Sequence, residues 1–163
     1  LMEGEPDGPW YYQQIELGYN YRMTDIQAAL GSSQIKHLDE FVLRRRWLAD
    51  RYNEAFSSLP LTSPWQHPDC DSAFHLYVIL LELDRGGKTR RQLFEFLRQA
   101  GIGVNLHYIP VYLQPYYRSM GFKPGYCPES ERYYGAAISL PLYYDLSEKD
   151  QDRVVDAIRR GMA

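Results

Sequence analysis

The strongest constraint on the fold is a run of apolar residues with helical spacing that extends from Ile26 to Phe56. Thr24 and Gln27 precede this run with the spacing of a capping box, so a helix is expected to begin just after Thr24. The pattern predicts one long helix, or two abutting helices, over residues 23–57. The apolar positions are Ile26, Ala29, Leu30, Leu38, Phe41, Val42, Leu48, Ala49, Tyr52 and Phe56.

The rest of the chain alternates between strand and helix patterns. Residues 74–83 form a continuous apolar run typical of a buried strand, and residues 102–108 alternate like a second strand. Thr89 and Gln92 repeat the capping box before a helix over residues 89–100, which Gly101 ends. Pro128 starts a short helix, residues 138–143 form a short extended piece, and a last helix follows Ser147.

This order of elements predicts the fold class and the domain boundaries. Helices alternating with a few short strands favour a small α/β domain, with a mixed or antiparallel sheet covered by helices. We expect an irregular segment over residues 1–22, a long linking helix or helix pair over 23–57, and the small α/β domain over 58–163. A chain of 163 residues has the length for one such core.

Composition and charge exclude several classes of function. The net charge of −3 gives no basic surface for nucleic acid or an anionic membrane, and the run Arg44 to Arg46 is interpreted as a solvated helix face. No apolar run approaches the ~20 residues that span a bilayer. Two cysteines are too few for a disulfide framework, so we expect a cytoplasmic protein.

Common catalytic and metal motifs are not found. The spacing of His67, Cys70 and His75 matches no common zinc arrangement, so we expect no metal site. No glycine-flanked serine nucleophile and no glycine-rich phosphate loop occurs.

The predicted strand over residues 102–108 carries the clearest candidate binding groups. Its alternation places Asn105 and His107 on one face, while Leu106 and Tyr108 share the opposite, apolar face. Two interpretations fit: the amide and the imidazole face a ligand cleft, or they face only water.

A second candidate is the segment GYNYRMTD, which places Asn20 and Arg22 just before the first predicted helix. Backbone N–H groups and the helix dipole favour an anion at such a position, and a guanidinium binds phosphate well. The alternative is an ordinary capped helix start, with Arg22 paired to an acidic group.

Three stretches of the chain resemble one family. LGYNYRMTDIQAALGSSQIKHLDEF, GIGVNLHYIPVYLQPYYRSMGF and AISLPLYYDLSEKDQDRVVDAI are similar to sequences of the DegT/DnrJ/EryC1 sugar aminotransferases. The middle stretch resembles a narrower branch, which makes UDP-4-amino-4,6-dideoxy-N-acetyl-β-L-altrosamine in the pseudaminic acid pathway. The resemblance implies the C-terminal small domain of a fold-type-I, pyridoxal-phosphate-dependent transferase that acts as a homodimer.

The resemblance also implies roles for particular residues. Asn20 would reach the partner subunit's active site near the phosphate of pyridoxal phosphate, with Arg22 a weaker candidate for the same role. A nucleotide-sugar site would be formed by Asn105, Leu106, His107 and Tyr108, with backbone or rim contacts from the two apolar-face residues. The substrates would be glutamate and a UDP-linked keto-sugar.

One feature departs from the family pattern. Family members bind the cofactor through a lysine upstream of the GYNYR stretch, and no lysine precedes Asn20 here. The four lysines, Lys36, Lys88, Lys123 and Lys149, lack the family's serine-rich context. We therefore expect a portion of an enzyme that is inactive alone. Two alternatives are a stand-alone, non-catalytic nucleotide-sugar-binding or regulatory module, and a family member, transaminase or dehydratase, with another nucleotide sugar.

Overall fold

The computed structural model describes residues 18–19, 21–83 and 88–162. Within these ranges the α-helices are α1 (Asp25–Gln34), α2 (Leu38–Phe56), α3 (Arg90–Gln99), α4 (Pro115–Ser119), α5 (Pro128–Ala136) and α6 (Glu148–Met162). The strands are β1 (Leu61–Thr62), β2 (Tyr77–Leu81) and β3 (Ala137–Leu140). Short 3-10 helices occupy Ile35–His37 and Val111–Leu113. Most of the predicted irregular segment over residues 1–22, and the turn at 84–87, lie outside the described residues.

Of the two alternatives for residues 23–57, one long helix or a helix pair, the structure shows the pair. Thr24 caps α1 through a capping box with Gln27, as the sequence predicts, and the 3-10 turn Ile35–His37 separates α1 from α2. None of the ten residues of α1 is buried. The described residues up to Leu38 and the described residues from Asp39 onward form two compact units.

The larger unit begins inside the segment that was expected to link two domains. The second half of α2 explains this boundary, because Leu48, Ala49, Tyr52 and Phe56 are buried in the hydrophobic core. These four side chains pack in the core, so the second half of α2 is part of the larger unit.

The sheet of the larger unit is antiparallel, with strand order β1-β2-β3 among the described residues. Along β2, Tyr77, Ile79 and Leu81 are buried, whereas Val78 and Leu80 are half-buried. Since opposite residues of an antiparallel pair share a face, the register places Ile138 and Leu140 of β3 on the fully buried face. That face forms one core cluster with apolar residues of α2, α3 and α6.

A buried polar contact joins α2 to α6 across this core. Gln151 Nε2 donates to the carbonyl of Leu48 at 2.7 Å, and Arg51 Nη1 donates to Gln151 Oε1 at 2.7 Å. Both ends of the Gln151 amide are therefore satisfied, which removes the cost of burying it.

The interpretation of Arg44 to Arg46 as a solvated face is wrong. Arg44 donates to the carbonyl of Leu146 at 2.9 Å, and Arg46 donates to the carbonyl of Ser72 at 2.8 Å. Arg45 donates to the carbonyls of Phe74 and His75 at 2.8 and 2.6 Å. These guanidinium groups hold the backbone of loops. Because the carbonyls that they bond are distant in the sequence, no local pattern indicates this role.

Candidate functional site

The segment predicted as a strand over residues 102–108 meets the sheet at a single residue. Asn105 N–H donates to the carbonyl of Ser139 at 3.2 Å, and Ser139 N–H donates back to the carbonyl of Asn105 at 2.8 Å. Ser139 lies in β3, so Asn105 stands at the edge of the sheet beside β3, on the side away from β2.

The predicted strand is therefore wrong as a regular element, and the backbone shows why. Val104 N–H donates to the carbonyl of Ile102 at 3.0 Å, which turns the chain just before the β-bridge between Asn105 and Ser139. After the bridge, Leu106 N–H bonds Asn105 Oδ1 at 2.8 Å and so is not available to a neighbouring strand. Pro110 then removes a backbone donor.

The predicted division into two faces is present next to the bridge. Val104 is buried, whereas Asn105 is exposed on the opposite side. Asn105 and Ser139 form a hydrogen-bonded antiparallel pair, so their side chains lie on the same face of the sheet. The residue two positions on, His107, shares that face, and its Nδ1 lies 2.7 Å from Ser139 Oγ.

The two apolar-face residues differ in their surroundings. Leu106 is half-buried, whereas Tyr108 is 71% exposed, and its ring meets that of His107 edge-on with centroids 4.7 Å apart. An open depression of about 430 Å³ begins at Tyr108. It is lined by Tyr108, Ile109, Pro110, Val111, Glu129, Ser130 and Tyr133. The structure thus places Asn105, His107 and Tyr108 at the edge of the sheet beside β3, next to a depression bounded by α5.

The loop that follows the candidate site is tied to α5 by one carboxylate. Glu131 accepts a hydrogen bond from the hydroxyl of Tyr112 and a second, at 2.5 Å, from the N–H of Gly125. The bond from Tyr112 is the main reason that the pKa of Glu131 is lowered. Desolvation and the same bond raise the pKa of Tyr112. Gly125 has a φ of +90°, a conformation that favours glycine.

The other predicted site segment is only partly described. Asn20 lies outside the described residues, and Arg22 is exposed. At the start of α1, the Thr24 hydroxyl accepts from Gln27 N–H at 3.3 Å, and Gln27 Oε1 accepts from Thr24 N–H at 3.0 Å. The predicted capping box is therefore present, and the pairing of Arg22 with an acidic group stays a prediction. The anion-binding role of Asn20 and Arg22 stays a prediction.

Ser139 is the site residue that sequence reasoning missed. It is 4% exposed and lies in the apolar segment AISL, between Ile138 and Leu140. A lone serine in an apolar strand is the available signal, because a buried hydroxyl needs a hydrogen-bond partner. The identity of that partner, His107, depends on a bridge between segments 32 residues apart.

The lysines do not fit a covalent pyridoxal phosphate site. Such a site needs an amine held in a desolvated pocket. Lys88 Nζ donates to the carbonyl of Gly161 at 2.8 Å and lies 5.5 Å from the centre of the Phe96 ring. Lys36, Lys123 and Lys149 are exposed. All four lysines of the chain are described, and Lys88 lines a cavity of only about 30 Å³.

Neither a metal cluster nor a membrane-spanning helix is found in the described ranges. Three or more His, Cys, Asp or Glu residues do not converge there in a way that could hold a metal ion. No helix there has both the length and the apolar character needed to cross a bilayer.

Comparison with known proteins assigns the chain to a class of enzymes. The model of the DegT/DnrJ/EryC1/StrS aminotransferase family matches residues 3–159. The chain belongs to this family. The spore coat polysaccharide biosynthesis protein SpsC of Bacillus subtilis is 40% identical over 156 residues, which cover 94% of this chain and 40% of SpsC.

Solved structures of sugar aminotransferases share the fold. The putative sugar aminotransferase Spr1654 of Streptococcus pneumoniae, in its PMP form, has a TM-score of 0.82 at 28% identity, over 93% of this chain and 38% of that one. Helicobacter pylori PseC, an aminotransferase involved in the biosynthesis of pseudoaminic acid, has a TM-score of 0.79 at 27% identity, over 95% of this chain and 42% of that one. The chain thus spans about two fifths of the length of these relatives.

Proposed function

We propose that the chain is the C-terminal portion of a pyridoxal-phosphate-dependent aminotransferase, which moves an amino group from glutamate to the C4 keto group of a UDP-linked 6-deoxy amino sugar. The complete polypeptide is called the parent protein below. The observation that carries the proposal is the family match over residues 3–159, together with the polar groups that the fold gathers beside β3. The likeness to PseC supports a pathway of the pseudaminic acid type.

In this proposal the chain supplies one side of the nucleotide-sugar site. With Asn105 Oδ1 bonded to Leu106 N–H, the Nδ2 amide is the group that donates to a hydroxyl or diphosphate oxygen. With His107 Nδ1 bonded to Ser139, Nε2 is the ring atom that contacts the ligand. Tyr108 offers an exposed ring at the rim, and Leu106 contributes backbone.

The cofactor contacts belong mainly to the rest of the parent protein. Pyridoxal phosphate supplies the electron sink for amino transfer when bound. Because no lysine of this chain fits a Schiff base, we propose that the lysine lies upstream and that the chain alone is inactive. Asn20 and Arg22 would contact the cofactor phosphate of a partner subunit in a homodimer.

The test of this proposal is an amination assay of the parent protein. The assay uses ¹⁵N-glutamate, with UDP- and dTDP-linked 4-keto-6-deoxy sugars as acceptors, and mass spectrometry detects the label in the product. We expect transfer to a UDP-linked acceptor. Transfer to dTDP sugars alone would favour the alternative of another substrate within the family, and transfer to no nucleotide keto-sugar would remove the proposed function.

The second candidate is a non-catalytic binding module, which the absence of a suitable lysine favours. It would bind a sugar nucleotide through Asn105 and His107 without chemistry. Calorimetry of the 163-residue chain with UDP and UDP-N-acetylglucosamine tests it. Binding by the wild-type chain that is lost in His107→Gln would support this candidate, and no heat with either ligand would count against a binding role.

A further inference from the structure

We propose that Ser139 is the positioning residue of the candidate nucleotide-sugar site, acting through His107. In this role its buried hydroxyl holds the imidazole so that Nε2–H donates to an oxygen of the bound sugar nucleotide. The inference rests on the proposed function for its ligand. The orientation of the His107 ring by Ser139 can be tested without any ligand.

Ser139 is a polar residue with a buried side chain. Only two polar residues are buried among those described, Gln151 and Ser139. Gln151 serves the core, because its side chain joins α2 to α6. The Ser139 hydroxyl instead bonds an imidazole on the sheet face that carries Asn105. Burying a hydroxyl costs free energy that an alanine at this position would avoid. The position of the Ser139 hydroxyl beside His107 therefore indicates a role for the hydroxyl itself.

Ser139 fixes the candidate segment at two points. Its backbone exchanges hydrogen bonds of 3.2 and 2.8 Å with Asn105, and its side chain bonds His107 at 2.7 Å. The intervening Leu106 bonds Asn105 Oδ1 rather than the sheet. Ser139 therefore fixes both the position of Asn105 at the sheet edge and the orientation of the His107 ring.

The position of the proton on the His107 imidazole depends on the partner of each ring nitrogen. A neutral histidine donates from one ring nitrogen and accepts at the other, and the partner of one nitrogen decides the role of its opposite. The oxygens of a diphosphate are acceptors, so a ligand of this class requires Nε2–H as a donor. Ser139 Oγ–H must then donate to Nδ1, which a hydroxyl at 2.7 Å can do. The ring of Tyr108, edge-on to His107, limits rotation from a second side.

If Ser139 contributed only packing, its replacement would not act through His107. The neighbouring residue Val78 provides a matched control for lost packing. Val78 is the Cα partner of Ser139 in β2, lies on the same sheet face, and carries no polar group. Val78→Ala removes packing next to the bridge and leaves the hydroxyl in place. Ser139→Ala removes the hydroxyl with a smaller loss of packing.

The first measurement is the steady-state kinetics of the parent protein with the nucleotide keto-sugar that it aminates. We expect Ser139→Ala to raise KM for the nucleotide sugar roughly three- to tenfold, the factor of one lost neutral hydrogen bond, with kcat and the KM for glutamate within about twofold of wild type. Val78→Ala should leave KM unchanged. In a His107→Gln background, Ser139→Ala should add no further increase, because the group through which it acts is gone.

The second measurement needs no substrate. In parent protein labelled with ¹⁵N-histidine, long-range ¹H–¹⁵N spectra report which nitrogen of each imidazole carries the proton, and His107→Gln assigns the His107 signals. We expect Ser139→Ala to shift the His107 signals and Val78→Ala to leave them in place. If the wild type aminates no nucleotide sugar, the proposed function fails and these spectra alone decide whether Ser139 orients the ring. The proposal is overturned if Ser139→Ala leaves the His107 signals unchanged, or if its effect on KM adds to that of His107→Gln.

Discussion

Gly161 of α6 packs directly against Leu93 of α3. A Cβ atom at Gly161 would lie 2.4 Å from Leu93 Cδ1 and 3.0 Å from Phe96 Cδ1. Leu93 is 1% exposed and so has little freedom to move aside. The absence of a side chain at Gly161 therefore sets how closely the two helices approach each other.

We predict that Gly161→Ala destabilises the chain. Overpacking a filled core typically costs about 1 to 3 kcal/mol, which urea denaturation followed by circular dichroism would measure. Gly135→Ala is the matched control, because Gly135 lies within α5 and an added Cβ meets no atom within 4 Å. The control should gain up to about 1 kcal/mol from helix propensity. Equal stability of Gly161→Ala and the wild type would contradict the close packing of α3 and α6.

A second prediction concerns stability at alkaline pH. Burial raises the pKa of Tyr77 to about 12, and its hydroxyl donates to Asn53 Oδ1 at 2.7 Å. Because the pKa is raised above the unfolded value of about 10, the stabilisation is complete below pH 10 and is lost as the pH rises towards 12. Tyr77→Phe should be about 1 kcal/mol less stable at pH 7, and the difference from the wild type should shrink between pH 10 and 12.

Urea denaturation at pH 7, 9, 10.5 and 11 checks this expectation. Tyr116→Phe, which removes an exposed phenol, is the control for loss of a tyrosine outside the core. A difference between Tyr77→Phe and the wild type that stays constant up to pH 11 would contradict the account.

A third prediction concerns acid and the loop beside α5. The bonds from Tyr112 and Gly125 lower the pKa of Glu131 below its ordinary value of 4.5. A lowered pKa means that the stabilisation is present above about pH 4.5 and is lost as the pH falls through the folded value. Glu131→Gln should therefore speed hydrogen exchange at the Gly125 amide near neutral pH, with a smaller effect relative to the wild type below pH 4.

Comparing variant and wild type at each pH cancels the intrinsic pH dependence of exchange. Glu129→Gln is the control, since Glu129 also lies on α5 but pairs with exposed Arg132. If Gly125 exchanged at the same rate in Glu131→Gln and the wild type at neutral pH, the carboxylate would not hold this loop.

A fourth prediction tests the backbone role of Arg45. Its guanidinium donates to the carbonyls of Phe74 and His75, and Phe74 has a φ of +46°, a conformation that most side chains disfavour. Arg45→Lys keeps the charge but cannot reach several carbonyls with a planar fork, so we expect a loss of about 1 to 3 kcal/mol in denaturation. Arg91→Lys, at an exposed pair with Glu95, should change stability by less than about 0.5 kcal/mol. A loss no larger than that of the control would mean that Arg45 does not hold this loop.

The helices could be predicted from the sequence because their signals are local. The capping boxes at Thr24 and Thr89 mark the starts of α1 and α3, and Gly101, with a φ of +77°, follows the end of α3. The strands were harder to predict. β1 has two residues and owes its existence to pairing with Leu80 and Leu81, which no pattern within residues 61–62 reveals.

The candidate site shows the same division between local and distant causes. Alternation alone indicated that Asn105 and His107 share a face, and the structure keeps that relation beside the sheet. The regular strand was not formed, because the Asn105 side chain takes the Leu106 N–H. The partner that holds both residues, Ser139, could not be inferred, since its role depends on tertiary pairing.

If the proposed function holds, the parent protein forms a Schiff base with pyridoxal phosphate through a lysine upstream of Leu1. The most direct test is to load the parent protein with pyridoxal phosphate, reduce it with borohydride, and map the labelled lysine by peptide mass spectrometry. We expect a label on a lysine N-terminal to this chain, with Lys36, Lys88, Lys123 and Lys149 unmodified. A label on any of these four, or no label at all, would contradict it.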